Sequence, residues 1–230
     1  MLERAGGEAH EVDPALLGRV MTGVTSSLRP VRPMAPAWKL ASCLFLISAG
    51  IALADAKWIG MYGIRKLSVA ETGAIFPALA IFSWLAALVS VGAMTPGGLR
   101  WKNPRIMELV MRNPATLLLV VVAGWIAVDA ILFHDYRIGY LFVPLGFLCL
   151  SAGLVVAIPT GIASWLVLRR GFAVNPAGAG LAAGTLSGLA GLATLEFHCP
   201  DLSAPHVMVW HTAVIPVSAL AGAILAKTRN

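Results

Sequence analysis

Charge is scarce in this chain. Asp, Glu, Lys and Arg make up 12% of its 230 residues, while 58% are hydrophobic. A soluble globular domain carries about 25% charged and about 45–50% apolar residues, so that class is excluded. Cysteine is scarce too. The three present, Cys43, Cys149 and Cys199, form no C-x-x-C pair, which leaves out a zinc ribbon and a thioredoxin-type motif. The first residues lack a basic start followed by an apolar stretch, so no cleavable signal peptide is expected. No H-E-x-x-H motif and no Ser/His/Asp arrangement stands out. No glycine loop lies between a strand and a soluble helix, where phosphate would bind. The chain is not expected to be an enzyme.

What the chain has is apolar length. Mean hydropathy is +0.82, and runs of about 20 residues, enough to cross a bilayer, recur along it. They lie at roughly 38–56, 73–95, 115–134, 141–168, 177–197 and 212–226. The expected fold is therefore all-α: a polytopic membrane protein with six transmembrane helices. Pro144 and Pro159 predict a tilt or kink in the fourth span. The sixth is short and should begin before Thr212. The fifth carries Gly180, Gly184 and Gly188, a doubled G-x-x-x-G face on which another helix backbone can approach closely. Packing within the bundle is expected there rather than dimerisation, and the sequence leaves the oligomeric state open. Placing the N-terminus inside leaves only Lys57, Arg65, Lys66 and Arg137 among the basic residues outside. By the positive-inside rule both termini should be cytoplasmic. The formal charge of +6 then reflects basic cytoplasmic loops. No basic patch interleaved with aromatics points to nucleic acid, so no direct nucleic-acid partner is expected.

Two regions follow from this layout, a cytoplasmic head of residues 1–37 and a membrane domain of residues 38–230. In the head, Asp13 should cap a helix with Pro14 at its first position. Leu17, Val20, Met21, Val24 and Leu28 then recur on one face. A helix this short is marginal in water, so its apolar stripe needs a partner. The partner is either the membrane surface and the protein's own loops, or a groove on a soluble protein. The prolines of Arg29-Pro30-Val31-Arg32-Pro33 end the helix and stiffen the approach to the membrane. Arg29 and Arg32 suit lipid headgroups or an acidic protein surface.

Chemistry concentrates between the last two spans. Residues 198–211 hold three of the five histidines, His198, His206 and His211, and one of the three cysteines, Cys199. In the six-span topology they face outside. Thiolate and imidazole suit zinc, copper or softer metals, so Cys199, His206 and His211 are a possible metal set. Their spacing matches no recognised ligand pattern, and such histidines also bond carbonyls or water at an interface. Cys199 should sit at the exit of its span, exposed enough to react. Cys149 lies in an apolar run of the fourth span. If the fourth and fifth helices are neighbours, these thiols could approach one another. A disulfide would need Cα atoms within about 7 Å. Two separate, inert thiols is the other reading, and Cys43 reads as a packing residue. Asp129 lies near the outer end of its span, where interfacial water or Arg137 would satisfy it.

Several motifs occur in an ordered combination. Leu28-Arg29-Pro30-Val31-Arg32-Pro33 stands just before the six spans, and Cys149-Leu150 lies upstream of Pro159 in the same span. Leu168-Arg169-Arg170-Gly171 and Pro176 precede the glycine-rich span. His198-Cys199-Pro200 is followed by Val209-Trp210. Over nearly the whole chain this combination resembles the membrane-bound anti-sigma factors of the NrsF type. His211 departs from the pattern, standing where a tyrosine is expected. The resemblance implies a bacterial inner-membrane protein whose cytoplasmic head holds an alternative sigma factor inactive. It also implies that paired cysteines on the outer side, here Cys149 and Cys199, are tied to release under metal or oxidative stress. Leu17, Val20, Met21, Val24, Leu28, Arg29 and Arg32 are then the expected sigma-binding residues. Cys149, Cys199, His198, His206 and His211 are the expected sensor. The alternative is a small transporter or metal-binding membrane protein using the outer His/Cys/Asp set. Against a transporter, no internal repeat relates residues 38–134 to 141–226.

Overall fold

A computed structural model of the chain describes residues 13–27, 35–94, 113–169 and 175–228. Of the head residues named above, Leu28, Arg29 and Arg32 lie outside this set, as do most of the loop arginines and lysines. The chain divides into two compact units, Met1–Met34 and Ala35–Asn230.

In the first unit α1 spans Pro14–Ser27. Asp13 starts it as its type dictates, its Oδ1 accepting from the Ala15 N–H at 2.9 Å while its carbonyl accepts from Leu17 N at 3.0 Å. Thr22 and Thr25 bond back to the carbonyls of Gly18 and Met21. Leu17, Val20, Met21 and Val24 are all more than half exposed, at 53–60%.

The second unit holds six helices long and apolar enough to span a membrane. They are α2 (Ala37–Ile59), α3 (Val69–Gly92), α4 (Pro114–Leu132), α5 (Phe142–Leu168), α6 (Pro176–His198) and α7 (Ala204–Lys227). Their starts are written in the sequence. Asn113-Pro114 and Asn175-Pro176 use one device: the asparagine side chain accepts from Ala115 N or Gly178 N, both at 3.0 Å, and proline fills a position that needs no donor. At α3 Ser68 and Glu71 make a reciprocal capping box. Gly60 ends α2 with φ +106°, a backbone state that glycine tolerates and L side chains rarely adopt. Leu46, Leu53, Ile81, Leu119 and Val155 point outward, exposed as a lipid-facing surface requires. Cys43 also lies exposed on α2, so its expected packing role is corrected.

The bundle is arranged around α6. It is buried along almost its entire length and touches every other spanning helix. Its small residues permit this. A methyl group at Gly184 would fall 2.7 Å from the Cα of Ala219, and one at Gly188 would fall 2.6 Å from the Cα of Ile215. The doubled G-x-x-x-G face therefore packs on α7 of the same chain, gaining dispersion contacts across two close backbones. Gly191 meets Gly153 of α5 in the same manner.

The last span begins at Ala204, eight residues before the sequence-based start at 212. Pro205 opens it in the first turn, and residues 207–211 form a π turn in which the Thr212 N–H reaches back to the Val207 carbonyl. With an even number of spans, Ala37 and Lys227 share one end of the bundle. The other end, formed by the segments between α2 and α3, α4 and α5, and α6 and α7, is the distal end.

Candidate metal and thiol centre

Loops lace the distal end together. Lys66 Nζ donates to the Pro200 carbonyl at 3.0 Å, and Ile64 N donates to the Phe197 carbonyl at 3.2 Å. Ala204 N donates to the Asp135 carbonyl at 2.8 Å. The α2–α3 loop lies directly on Cys199: a Cβ at Gly63 would sit 2.6 Å from the Cys199 carbonyl oxygen. His198 belongs to this lacing. Its Nδ1 lies 2.9 Å from the Gly60 carbonyl and its ring meets Tyr62 edge-on. It is not brought to the cluster beneath.

That cluster comprises Cys149, Cys199, His206 and His211, whose ligand atoms all lie within 4.8 Å of one another. Cys149 comes from α5. Cys199 ends α6, its N–H bonded to the Leu195 carbonyl. Both histidines come from the start of α7. Cys149 Sγ is 3.5 Å from Cys199 Sγ, and Cys199 Sγ is 3.6 Å from His206 Nε2. The thiols touch without bonding, since a disulfide would hold them at about 2.0 Å. The rings of His206 and His211 meet edge-to-face with centroids 5.2 Å apart.

The π turn creates this juxtaposition. In an α-helix residues five apart are rotated by about 140°, so His206 and His211 would point to different sides. An i→i+5 turn stacks them. No sequence rule flags that turn, and a five-residue separation therefore looks like no ligand motif.

Carboxylates form the next layer. His211 Nδ1 lies 2.9 Å from Glu196 Oε1, both side chains fully buried. This leaves His211 Nε2 buried and without a partner. Asp201 Oδ2 lies 3.6 Å from His206 Nδ1, and Asp201 Oδ1 accepts from Ser203 N at 3.1 Å. Burial pushes the Asp201 carboxyl up, but the Ser203 hydrogen bonds and the nearby His206 and His211 outweigh it and hold it below the usual range. The Cys199 thiol is pushed up, chiefly by the hydrogen it shares with Cys149 and then by burial. Cys199 is 2% exposed, so the expected accessible thiol is corrected: the α2–α3 loop covers it. Cys149 is half-buried.

Asp129 is corrected as well. It is fully buried beside Glu196, His211 and Thr212, while Arg137 is 95% exposed and faces Asp135 at 3.9 Å. Glu196 is the residue that sequence reasoning underused. A carboxylate within a span is costly enough to demand a partner, and that cost was its one visible signal.

Two thiols and two imidazoles, with a carboxylate behind each imidazole, can bind a soft or borderline cation or undergo thiol redox chemistry. A family model described as "NrsF: Negative regulator of sigma F" matches residues 24–229. No curated protein and no solved structure matches the chain.

Proposed function

Because the chain belongs to the NrsF family and is thus a negative regulator of a sigma factor, we propose that it sequesters an alternative sigma factor of the ECF type at a bacterial inner membrane and releases it on an envelope, metal or oxidative signal. In this reading both termini are cytoplasmic and the distal end faces outside, as the distribution of basic residues suggests. The head precedes the bundle in the chain. Its α1 supplies a groove-binding surface through Leu17, Val20, Met21 and Val24, with Leu28, Arg29 and Arg32 continuing it. The family match starts at residue 24, so most of that stripe rests on its own chemistry: four large apolar side chains on one exposed helical face. Holding a partner requires occlusion of a surface and no catalysis.

The single observation that carries the signal half is the buried Cys/His cluster at the end opposite Ala37 and Lys227. It joins three elements, α5, the end of α6 and the start of α7, so a change in its bonding shifts α5 against α6. Two arrangements of the bundle with different affinity for the partner are all that release needs.

The test uses the full-length protein purified in detergent with candidate sigma factors. One of them should co-purify stoichiometrically. Leu17→Asp should weaken that capture by roughly 10–100-fold, the loss of one buried leucine, with insertion into the membrane unchanged. Capture equal to wild type in that variant would remove α1 from the interface.

A further inference from the structure

The four side chains of the distal cluster bring one ligand atom each to within 4.8 Å of the others. In a tetrahedral zinc site, bonds of about 2.3 Å to sulfur and about 2.0–2.1 Å to nitrogen set the edges. The sulfur–sulfur edge is then about 3.8 Å and the sulfur–nitrogen edge about 3.6 Å. The observed separations are 3.5 Å for Cys149–Cys199 and 3.6 Å for Cys199–His206. We infer that Cys149, Cys199, His206 and His211 bind one zinc-class divalent cation, with Glu196 orienting the His211 imidazole. This deepens the signal-receiving role proposed above by naming the ligand and its full donor set.

Three features support a cation over a pair of thiols acting alone. First, His211 is fully buried with its Nε2 unpartnered, an arrangement that costs free energy unless something fills the space. A disulfide between Cys149 and Cys199 would leave that atom as it is. Second, Glu196 Oε1 lies 2.9 Å from His211 Nδ1, which leaves Nε2 as the ring nitrogen available to the cluster. A carboxylate behind a ligating histidine is the usual outer shell of a zinc site. Third, one divalent cation displaces one proton from each of two thiols, giving two thiolate–metal bonds and two protons to solvent, so the cation and its two thiolates are together neutral. Asp201, 3.6 Å from His206 Nδ1 with its side chain 36% exposed, is the partly exposed carboxylate beside the cluster.

The experiment loads the reduced full-length protein in detergent with Co²⁺, then displaces it with Zn²⁺. One equivalent of Co²⁺ should give the intense visible bands of tetrahedral coordination with a thiolate charge-transfer band in the near ultraviolet. One equivalent of Zn²⁺ should abolish both. Cys149→Ser, at the half-buried ligand, should remove most of the charge-transfer intensity. His211→Gln should lower affinity and shift the visible bands. Glu196→Gln acts through His211, so it should weaken affinity by roughly 10–100-fold while the tetrahedral spectrum persists. Weak octahedral bands without charge transfer, or an unchanged spectrum and affinity in His211→Gln, would overturn the site. So would the absence of binding in protein whose helical circular dichroism and thermal transition are intact. Sigma-factor capture is measured on the same preparations. Capture without stoichiometric metal overturns this inference and leaves the regulatory reading standing. Metal bound by protein that captures no sigma factor in either its metal-free or its metal-loaded state supports the site and overturns the sequestration reading.

Discussion

The two ends of α5 are held in opposite ways. At the distal end Gly146 lies against the Trp210 ring, Cys149 touches Cys199, and Gly153 sits under Val214 and Leu195. Toward the other end the helix separates from α6 and α7. A cleft of about 530 Å³ opens there, lined by Ile158, Gly161, Trp165, Gly184, Ser218 and Leu225. One helix is thus held closely where the titratable and thiol groups lie, while beyond them one of its faces opens onto the cleft and Thr160 and Ser164 of the same half stay fully buried. A helix held more closely at one end than at the other converts a small change at the tighter end into a displacement at the looser one. Packed interfaces resist continuous deformation, so the loose end is where two arrangements can coexist.

The largest expected effect breaks the pinned end through its buried pair. His211→Leu would leave the Glu196 carboxylate fully buried with no partner for Oε1, a loss of about 3–5 kcal/mol for a severed buried pair. Unfolding of metal-free protein in detergent should show that drop. Glu196→Leu combined with His211→Leu should recover much of it, because the stranded charge is gone. A single variant with the wild-type midpoint would mean that the pair does not hold this end.

A smaller effect comes from wedging the seam. At Gly153 a methyl group would lie 2.6 Å from Val214 Cγ2 and 2.9 Å from Leu195 Cδ1. Gly153→Ala should therefore destabilise the bundle by about 1–3 kcal/mol as α5 is pushed outward. Cys149, one helical turn from the wedge and already half-buried, should then be alkylated faster by a maleimide. An alkylation rate equal to wild type would show that the seam absorbs the methyl group without moving α5.

These tests also mark what could be read from the residues. The spans were legible because each is an apolar run of about the length a bilayer requires. The face of α6 that packs on α7 was legible from glycines four apart. The start of α7 was not, since Pro205 reads as a breaker until it is seen in a first turn, where its missing N–H costs nothing. All four cluster residues were named from the sequence, but their convergence on one site was not legible there. Cys149 and Cys199 are 50 residues apart, and their helices meet through close approaches such as that of Gly153 to Gly191, which the sequence does not announce. His206 and His211 depend on a π turn that no local pattern announces. His198 shows the reverse: it is adjacent to Cys199 in sequence yet bonds the α2–α3 loop. Proximity along the chain is a poor guide at a helix end, where successive side chains diverge.

The smallest effect compares the same substitution at the loose end. Gly161 is on α5 eight residues beyond Gly153. A methyl group there meets only Ser187, with Oγ at 3.4 Å and Cβ at 4.0 Å, which is ordinary contact. Gly161→Ala therefore adds no clash, and it removes the backbone freedom that makes glycine unfavourable within a helix. It should stabilise the bundle by about 0.5–1 kcal/mol, opposite in sign to Gly153→Ala. Equal losses at both positions would show that α5 is clamped along its whole length. The cleft would then be a rigid groove, and a signal at Cys149 would have to leave the distal end through α6 or α7 instead. Opposite signs would locate the mobile half of α5 toward the end of the bundle that Ala37 and Lys227 share.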